Sequence, residues 1–140
     1  MNAVGIDVSK GKSMIAVMRP FGEILRKPFE VLHTASALQN LVNYLKSLES
    51  ETRVVLECTG IYYLPIANAL CPDGLFVSTV HPKRIYTYDN DSIRRIKTDK
   101  ADAVKIANFC IDKWSKLQRY TPTDVLRQSL KALSRQYEHS

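Results

Sequence analysis

Three strand-like runs open the chain, and the turns joining them are too short to let neighbouring runs lie parallel. Residues 2–8 alternate into a short apolar strand, Lys10-Gly11-Lys12 turns into Ser13–Met18, and Pro20-Phe21-Gly22 turns into a less regular run, Glu23–Leu32. A parallel crossover takes about a dozen residues or more, so these three runs can pair only as an antiparallel meander. The N-terminal third is thereby committed to a sheet.

The pattern then changes. Thr34 or Ser36 can cap a helix whose apolar positions Leu38, Leu41, Val42, Leu45 and Leu48 follow helical spacing. Arg53–Cys58 is almost continuously apolar and predicts a central strand covered on both faces. Beyond Thr59-Gly60, Ile61–Cys71 predicts a short helix with Pro65 in its first turns, where a missing N–H costs little. Pro72-Asp73-Gly74 turns into a fifth strand, Leu75–Val80, which His81-Pro82 ends. Lys83–Tyr88 reads as a short helix, Asp89–Lys97 as a polar, basic loop, and Asp99–Leu117 as a longer helix. That helix carries Ala103, Ile106, Ala107, Cys110, Ile111 and Trp114 on one face. Thr121-Pro122-Thr123 punctuates before a last helical pattern with Val125, Leu126, Leu130 and Leu133. It stops in mid-pattern, so the expectation is a domain over 1–120 and the truncated start of a helical linker over 121–140.

The 140 residues suffice for one domain with a substantial core, and 45% apolar with 24% charged residues is the balance of an ordinary soluble globular chain. No apolar run approaches the roughly 20 residues of a membrane span, and the N-terminus lacks a signal-peptide pattern. Cys58, Cys71 and Cys110 have no metal-type spacing and predict reduced thiols in a cytoplasmic protein. The net charge of +6 is unevenly placed. Residues 1–80 hold seven basic and seven acidic residues, whereas residues 81–120 hold ten basic and five acidic ones. A concentration of positive charge suits a polyanion, although a solvated helix face would read the same way.

Four acidic residues stand out against this background. Asp7 interrupts the apolar run Ala3–Val8, Glu57 ends Val54-Val55-Leu56, and Asp99 and Asp102 sit three apart at a helix start. Carboxylates are costly against a core unless their desolvation is compensated, and a hard divalent cation with oxygen ligands is a common remedy. Two such ions about 3.5–4 Å apart can hold the attacking and leaving oxygens of a displacement at phosphorus. Helix-start acids also occur simply because the helix dipole favours them, and strand-end acids because they emerge into solvent. Convergence on one spot would separate the two explanations. Beside them, Lys83, Arg84, Arg94, Arg95, Lys97 and Lys100 are candidate phosphate contacts, with Tyr86 and Tyr88 interleaved. Tyr62, Tyr63 and Trp114 fit base stacking and core packing equally well.

Other signals fail on inspection. Gly11-Lys12-Ser13 lacks a glycine at phosphate-loop spacing and leads into a strand rather than a helix. His33, His81 and His139 have no metal-type spacing, and Ser9 has no visible partner base.

The order βββαβαβα, a mixed five-stranded sheet with flanking helices, resembles the ribonuclease H-like (RuvC-like) α/β arrangement. More specifically, Gly5-Ile6-Asp7-Val8-Ser9-Lys10, Glu57-Cys58-Thr59-Gly60 and Lys97-Thr98-Asp99-Lys100-Ala101-Asp102-Ala103 resemble the RuvC-like DEDD transposases of the bacterial insertion-sequence one-ten family, with the pilin-inversion recombinases. The resemblance implies that Asp7, Glu57, Asp99 and Asp102 are an acidic tetrad for Mg²⁺, with Mn²⁺ as substitute. It also implies action on DNA, a structured guide RNA as partner in many members, and assembly as a dimer or larger oligomer. Full-length members resemble this chain followed by a helical segment and a serine-bearing domain. A stand-alone Holliday-junction resolvase-like nuclease is the nearest alternative. A sugar-kinase or actin-like ATP-binding half-domain, and a nucleic-acid-binding module with a degenerate site, are the others.

Overall fold

A computed structural model describes residues 1–58, 60–88 and 99–121, except for the side chains of 86–88 and 99–100. The meander forms as the turns require. β1 (Asn2–Ser9), β2 (Lys12–Arg19) and β3 (Glu23–Leu32) pair antiparallel, with a short 3₁₀ turn at Pro20–Gly22. α1 (Ala35–Ser47) returns the chain to β4 (Thr52–Glu57), which lies parallel to β1. α2 (Leu64–Leu70) leads to β5 (Phe76–Val80), parallel to β4, and the sheet order is β3-β2-β1-β4-β5. α3 (Pro82–Tyr88) and α4 (Asp99–Asp112) follow.

Alternation along the strands divides the core in two. Val4, Ile6, Val54, Leu56 and Val77 point to one face and pack against Leu38, Leu41, Val42 and Leu45 of α1 and Ile66, Ala67 and Leu70 of α2. Ala3, Val55 and Val80 point to the other face, against Ile106, Phe109 and Cys110 of α4 and Ile85 of α3. Thr34 caps α1, its hydroxyl accepting the Ala37 N–H at 3.2 Å. Asn2 is a fully buried polar residue. Its side chain donates to Glu49 O and to Thr52 Oγ1 and accepts from Arg19 Nε, tying the start of β1 to β4 and β2.

Two helix ends differ from the sequence reading. Ile61–Cys71 is helical only over Leu64–Leu70, because turns occupy 60–63 and a 3₁₀ turn occupies Cys71–Asp73. The last helix stops at Asp112 rather than Leu117, and a 3₁₀ turn follows at Trp114–Lys116. The segment after that end is held by a residue distant in sequence. Arg53 at the start of β4 donates to Trp114 O, and its guanidinium stacks over Trp114 at 4.8 Å and Phe76 at 4.4 Å. The chain then runs along the free edge of β5, where the Tyr120 N–H donates to Val77 O at 2.7 Å. The helix expected within 121–140 lies outside the described residues. Among those described, no helix is long and apolar enough to cross a membrane.

Phe109 is among the largest fully buried side chains and anchors the α4 side of the core. Phe109→Ala should lower unfolding free energy by about 3–5 kcal/mol, read from urea denaturation monitored by circular dichroism. Cys110 provides a pH test. Burial pushes its thiol up to about 12 from 9.0, so the fold favours the neutral form. Its contribution to stability is complete below pH 9 and is lost as pH rises towards 12, so Cys110→Ala should flatten the alkaline fall in melting temperature.

Candidate functional site

The parallel pairing of β1 with β4 sets the site. Its register runs from Asn2 opposite Thr52 to Ile6 opposite Leu56, and Asp7 and Glu57 come next on each strand. Ile6 and Leu56 both face α1 and α2, so the following residues both face α4. Asp7 is flanked on its other side by Met14 of β2, and Glu57 by Val80 of β5. Both carboxylate residues are half-buried. The apolar runs of the two strands thus end at one level and on one face, with an acid each.

α4 reaches the same level because of a glycine. A methyl group at Gly5 would overlap Ala103 O and Ala107 N and come within 2.9 Å of Ala107 Cα. The backbone of α4 therefore rests directly on the backbone of β1, with Ala16 and Met18 of β2 beside Ala103 and Ala107. The direction of α4 follows from its other end. Cys110 Sγ contacts Arg53 O at 3.6 Å and Trp114 is held by Arg53, so the C-terminal end lies over the start of β4. The N-terminal end must then point towards Asp7 and Glu57. From Gly5 to Asp7 the strand advances about 6.6 Å. From the middle of the Ala103–Ala107 contact the helix advances about 4.5 Å to residue 102 and about 9 Å to residue 99. The first turn of α4 is level with Asp7.

Asp102, on that turn, is half-buried. The backbone of Asp99 begins α4, but its side chain is outside the described residues. So are Arg94, Arg95 and Lys97 and the side chain of Lys100. Among the described residues no three histidine, cysteine or acidic side chains form a group able to hold a metal ion. Asp7 and Glu57 are thus neighbours, and Asp102 is on the turn facing their end of the sheet.

The surroundings are partly desolvated. Burial raises the pKa of the Cys58 thiol, and the adjacent Glu57 charge raises it further, while the Cys58 N–H donates to Val80 O at 3.0 Å. Lys83 and Arg84 are exposed at the start of α3, beyond the end of β5, and the Arg84 guanidinium lies over the Phe109 ring at 5.7 Å. His81 Nδ1 accepts the Lys83 N–H at 3.1 Å, which makes it a turn residue. Gly11-Lys12-Ser13 lies in the β1–β2 hairpin, and Ser9 Oγ donates to Lys12 O. His33 Nε2 and Ser13 Oγ are 2.7 Å apart, and burial lowers the pKa of His33. Tyr63 belongs to the core, whereas Tyr62 is exposed. Sequence reasoning missed Gly5 as the residue that sets the depth of α4, although its place in the middle of a buried strand was a usable signal.

A five-stranded mixed sheet of this order, with helices on both faces and acids at adjacent strand ends, defines a ribonuclease H-like domain of the RuvC type. Solved structures share it. RuvC of T. thermophilus in complex with a Holliday junction substrate superposes with a TM-score of 0.60 at 14% identity, over 83% of this chain and 96% of that one. A further Thermus thermophilus RuvC structure gives 0.58 at 14% identity, over 81% and 94%. The DEDD Tnp IS110 family model, a transposase family, matches residues 4–140. The chain belongs to that family. No curated protein matches it.

Gly5→Ala should test the depth of α4. The added carbon meets backbone, which cannot rotate away, so destabilisation of about 3 kcal/mol or more is expected. Gly11→Ala has open space and only a left-handed φ of 74° to maintain, and should cost about 1–2 kcal/mol. Thermal melts of the two variants make the comparison.

Proposed function

We propose that this chain is the metal-binding, DNA-handling domain of a transposase or site-specific recombinase. In this reading Asp7, Glu57, Asp99 and Asp102 hold Mg²⁺, or Mn²⁺ in its stead. The observation that carries it is the β1–β4 register, which sets Asp7 and Glu57 side by side at the end of the sheet faced by the first turn of α4. An all-oxygen donor set of carboxylates suits a hard divalent cation, so the residues fit the metal. Such an ion stabilises the charge that develops on oxygen when a phosphodiester is attacked.

The protein's own groups have separable tasks. Asp7 and Glu57 provide ligands from rigid strands, and Asp102 provides one from α4, whose depth Gly5 fixes. Lys83 and Arg84, with Arg94, Arg95, Lys97 and Lys100, contact phosphates and offset the acidic end of the sheet. Residues 1–120 constitute the RuvC-like domain, and 121–140 begin a helical linker. A structured guide RNA and a homodimer or larger oligomer are carried over from the family resemblance, as is a bacterial cytoplasmic setting.

Calorimetric titration of Mn²⁺ is the direct test. Wild type should bind with measurable heat, and Asp102→Ala should lose at least tenfold in affinity without unfolding. Equal heats in the two proteins would remove the metal role.

A second reading has a specific observation behind it. The RuvC neighbour bound to a Holliday junction covers 83% of this chain, so a stand-alone resolvase-like nuclease shares the same scaffold. Incubating the chain alone with a four-way junction and Mg²⁺ separates the two: efficient cleavage would favour the resolvase.

A further inference from the structure

Two adjacent tyrosines meet opposite fates at the end of β4. Tyr63 is 5% exposed and packs edge-on against Tyr120, while Tyr62 is 46% and Ile61 69% exposed. Large apolar side chains held in water are unfavourable, and these two belong to no core cluster. Their backbone is nonetheless fixed. Gly60 turns at φ 61°, Leu64 N–H donates to Ile61 O at 3.1 Å, and Ala67 N–H donates to Tyr63 O at 2.9 Å. Tyr62 is thus presented to solvent from a hydrogen-bonded turn whose next residue is locked in the core.

The sheet order gives this turn its neighbours. Strands stand about 4.8 Å apart, so at the C-terminal ends of β1, β4 and β5 three loops follow in a row. First comes the β1–β2 hairpin with Lys10, then the turn carrying Ile61 and Tyr62, then the start of α3 with Lys83 and Arg84. Lys10 is exposed at a firmly built tip, where Ser9 Oγ donates to Lys12 O at 3.1 Å and His33 N–H donates to Gly11 O at 2.9 Å. Lys12 is engaged by Glu30 at 3.8 Å, and nothing lies within 4 Å of a Cβ position at Gly11, so the tip is open to a large ligand. Cation, aromatic, cation is the sequence of groups that grips an unpaired strand. Bases stack on the ring and phosphates meet the charges on either side.

We propose that this row of loops binds an unpaired stretch of DNA, with a base stacked on Tyr62 and a backbone phosphate held by Lys10. It rests on the nucleic-acid reading above, but not on the metal. Neither Tyr62 nor Lys10 belongs to the acidic set, and stacking on an aromatic face favours a base freed from its partner over one inside a duplex.

Fluorescence anisotropy with labelled dT12 and with a 12-bp duplex, both in EDTA, tests this on the full chain. Tyr62→Ala should weaken dT12 binding by about five- to a hundredfold and leave duplex binding within twofold, while Tyr62→Phe should bind dT12 like wild type. Lys10→Ala should reduce the slope of log K against log salt on dT12 by about 0.7, and Lys10→Arg should retain it. Both side chains are exposed, so melting temperatures should not move. Tyr62→Ala with wild-type affinity for dT12, or with equal losses on both probes, would overturn the stacking role. An unchanged salt slope in Lys10→Ala would overturn the phosphate contact. Wild type that binds neither probe would remove the nucleic-acid reading itself, an outcome distinct from the others.

Discussion

The contact of α4 with β1 at Gly5 is the constraint on which the α4 side of the molecule depends. Helices usually ride on a sheet through a layer of side chains, and their depth then varies with rotamers and residue size. Here the first layer is missing at one point, and peptide backbone rests on peptide backbone between Ala103 and Ala107. Hard contacts of this kind have no soft degrees of freedom. The neighbouring residues keep to the same plan: Ala16, Ala103 and Ala107 are small and buried, and the bulk is displaced towards Phe109 and Ile106. With Arg53 holding Trp114 at the far end, α4 is pinned at two points. Its first turn can occupy only one level along β1.

That level matters because of the electrostatics at the strand ends. Two like charges separated by about the spacing of neighbouring strands, roughly 5 Å, repel by roughly 3 kcal/mol at an effective dielectric near 20. A third acid on the facing helix turn adds to this. Val8, one step later on the other face, is apolar and packs against the core. Carboxylates gathered at a partly desolvated strand end are one recurring feature of functional sites, and of structural charge networks too. Lys83 and Arg84 at the start of α3 and Lys10 in the hairpin lie at the same end of the sheet as the acids.

The fold was legible to the extent that its causes are local. Short turns at Gly11 and Gly22 forced the meander, and the Thr34 cap with the Leu38 to Leu45 spacing located α1. The placement of Asp7 and Glu57 at the ends of strands was legible as well, since each breaks or ends an apolar run. What could not be read came from pairs of residues far apart. The segment after α4's end at Asp112 is held by Arg53, some sixty positions earlier, and no periodicity in α4 announces that contact. Gly5 looks like a weak point in a strand until the helix above it is known. Tyr62 and Tyr63 are the same residue in the same local sequence, and only the direction of the turn sends one to the core and the other to water. Burial of a polar residue such as Asn2 is equally opaque, because its partners Glu49, Thr52 and Arg19 belong to three different segments.

The topology also explains why charge and chemistry are split along the sequence. β1, β4 and β5 run parallel, so their C-terminal ends open on one side, where the loops and helix starts that follow them gather. The neutral first eighty residues build that edge and contribute Asp7 and Glu57, whose positions demand a rigid strand. Beyond them, Lys83 and Arg84 sit at the start of α3, where a helix start can carry charge without disturbing strand pairing. Apart from Arg53, whose guanidinium leaves the start of β4 to stack on Phe76 and Trp114, lysines or arginines within β4 or β5 would have had to enter the core that holds the register. Each kind of group then sits on the element whose physics tolerates it.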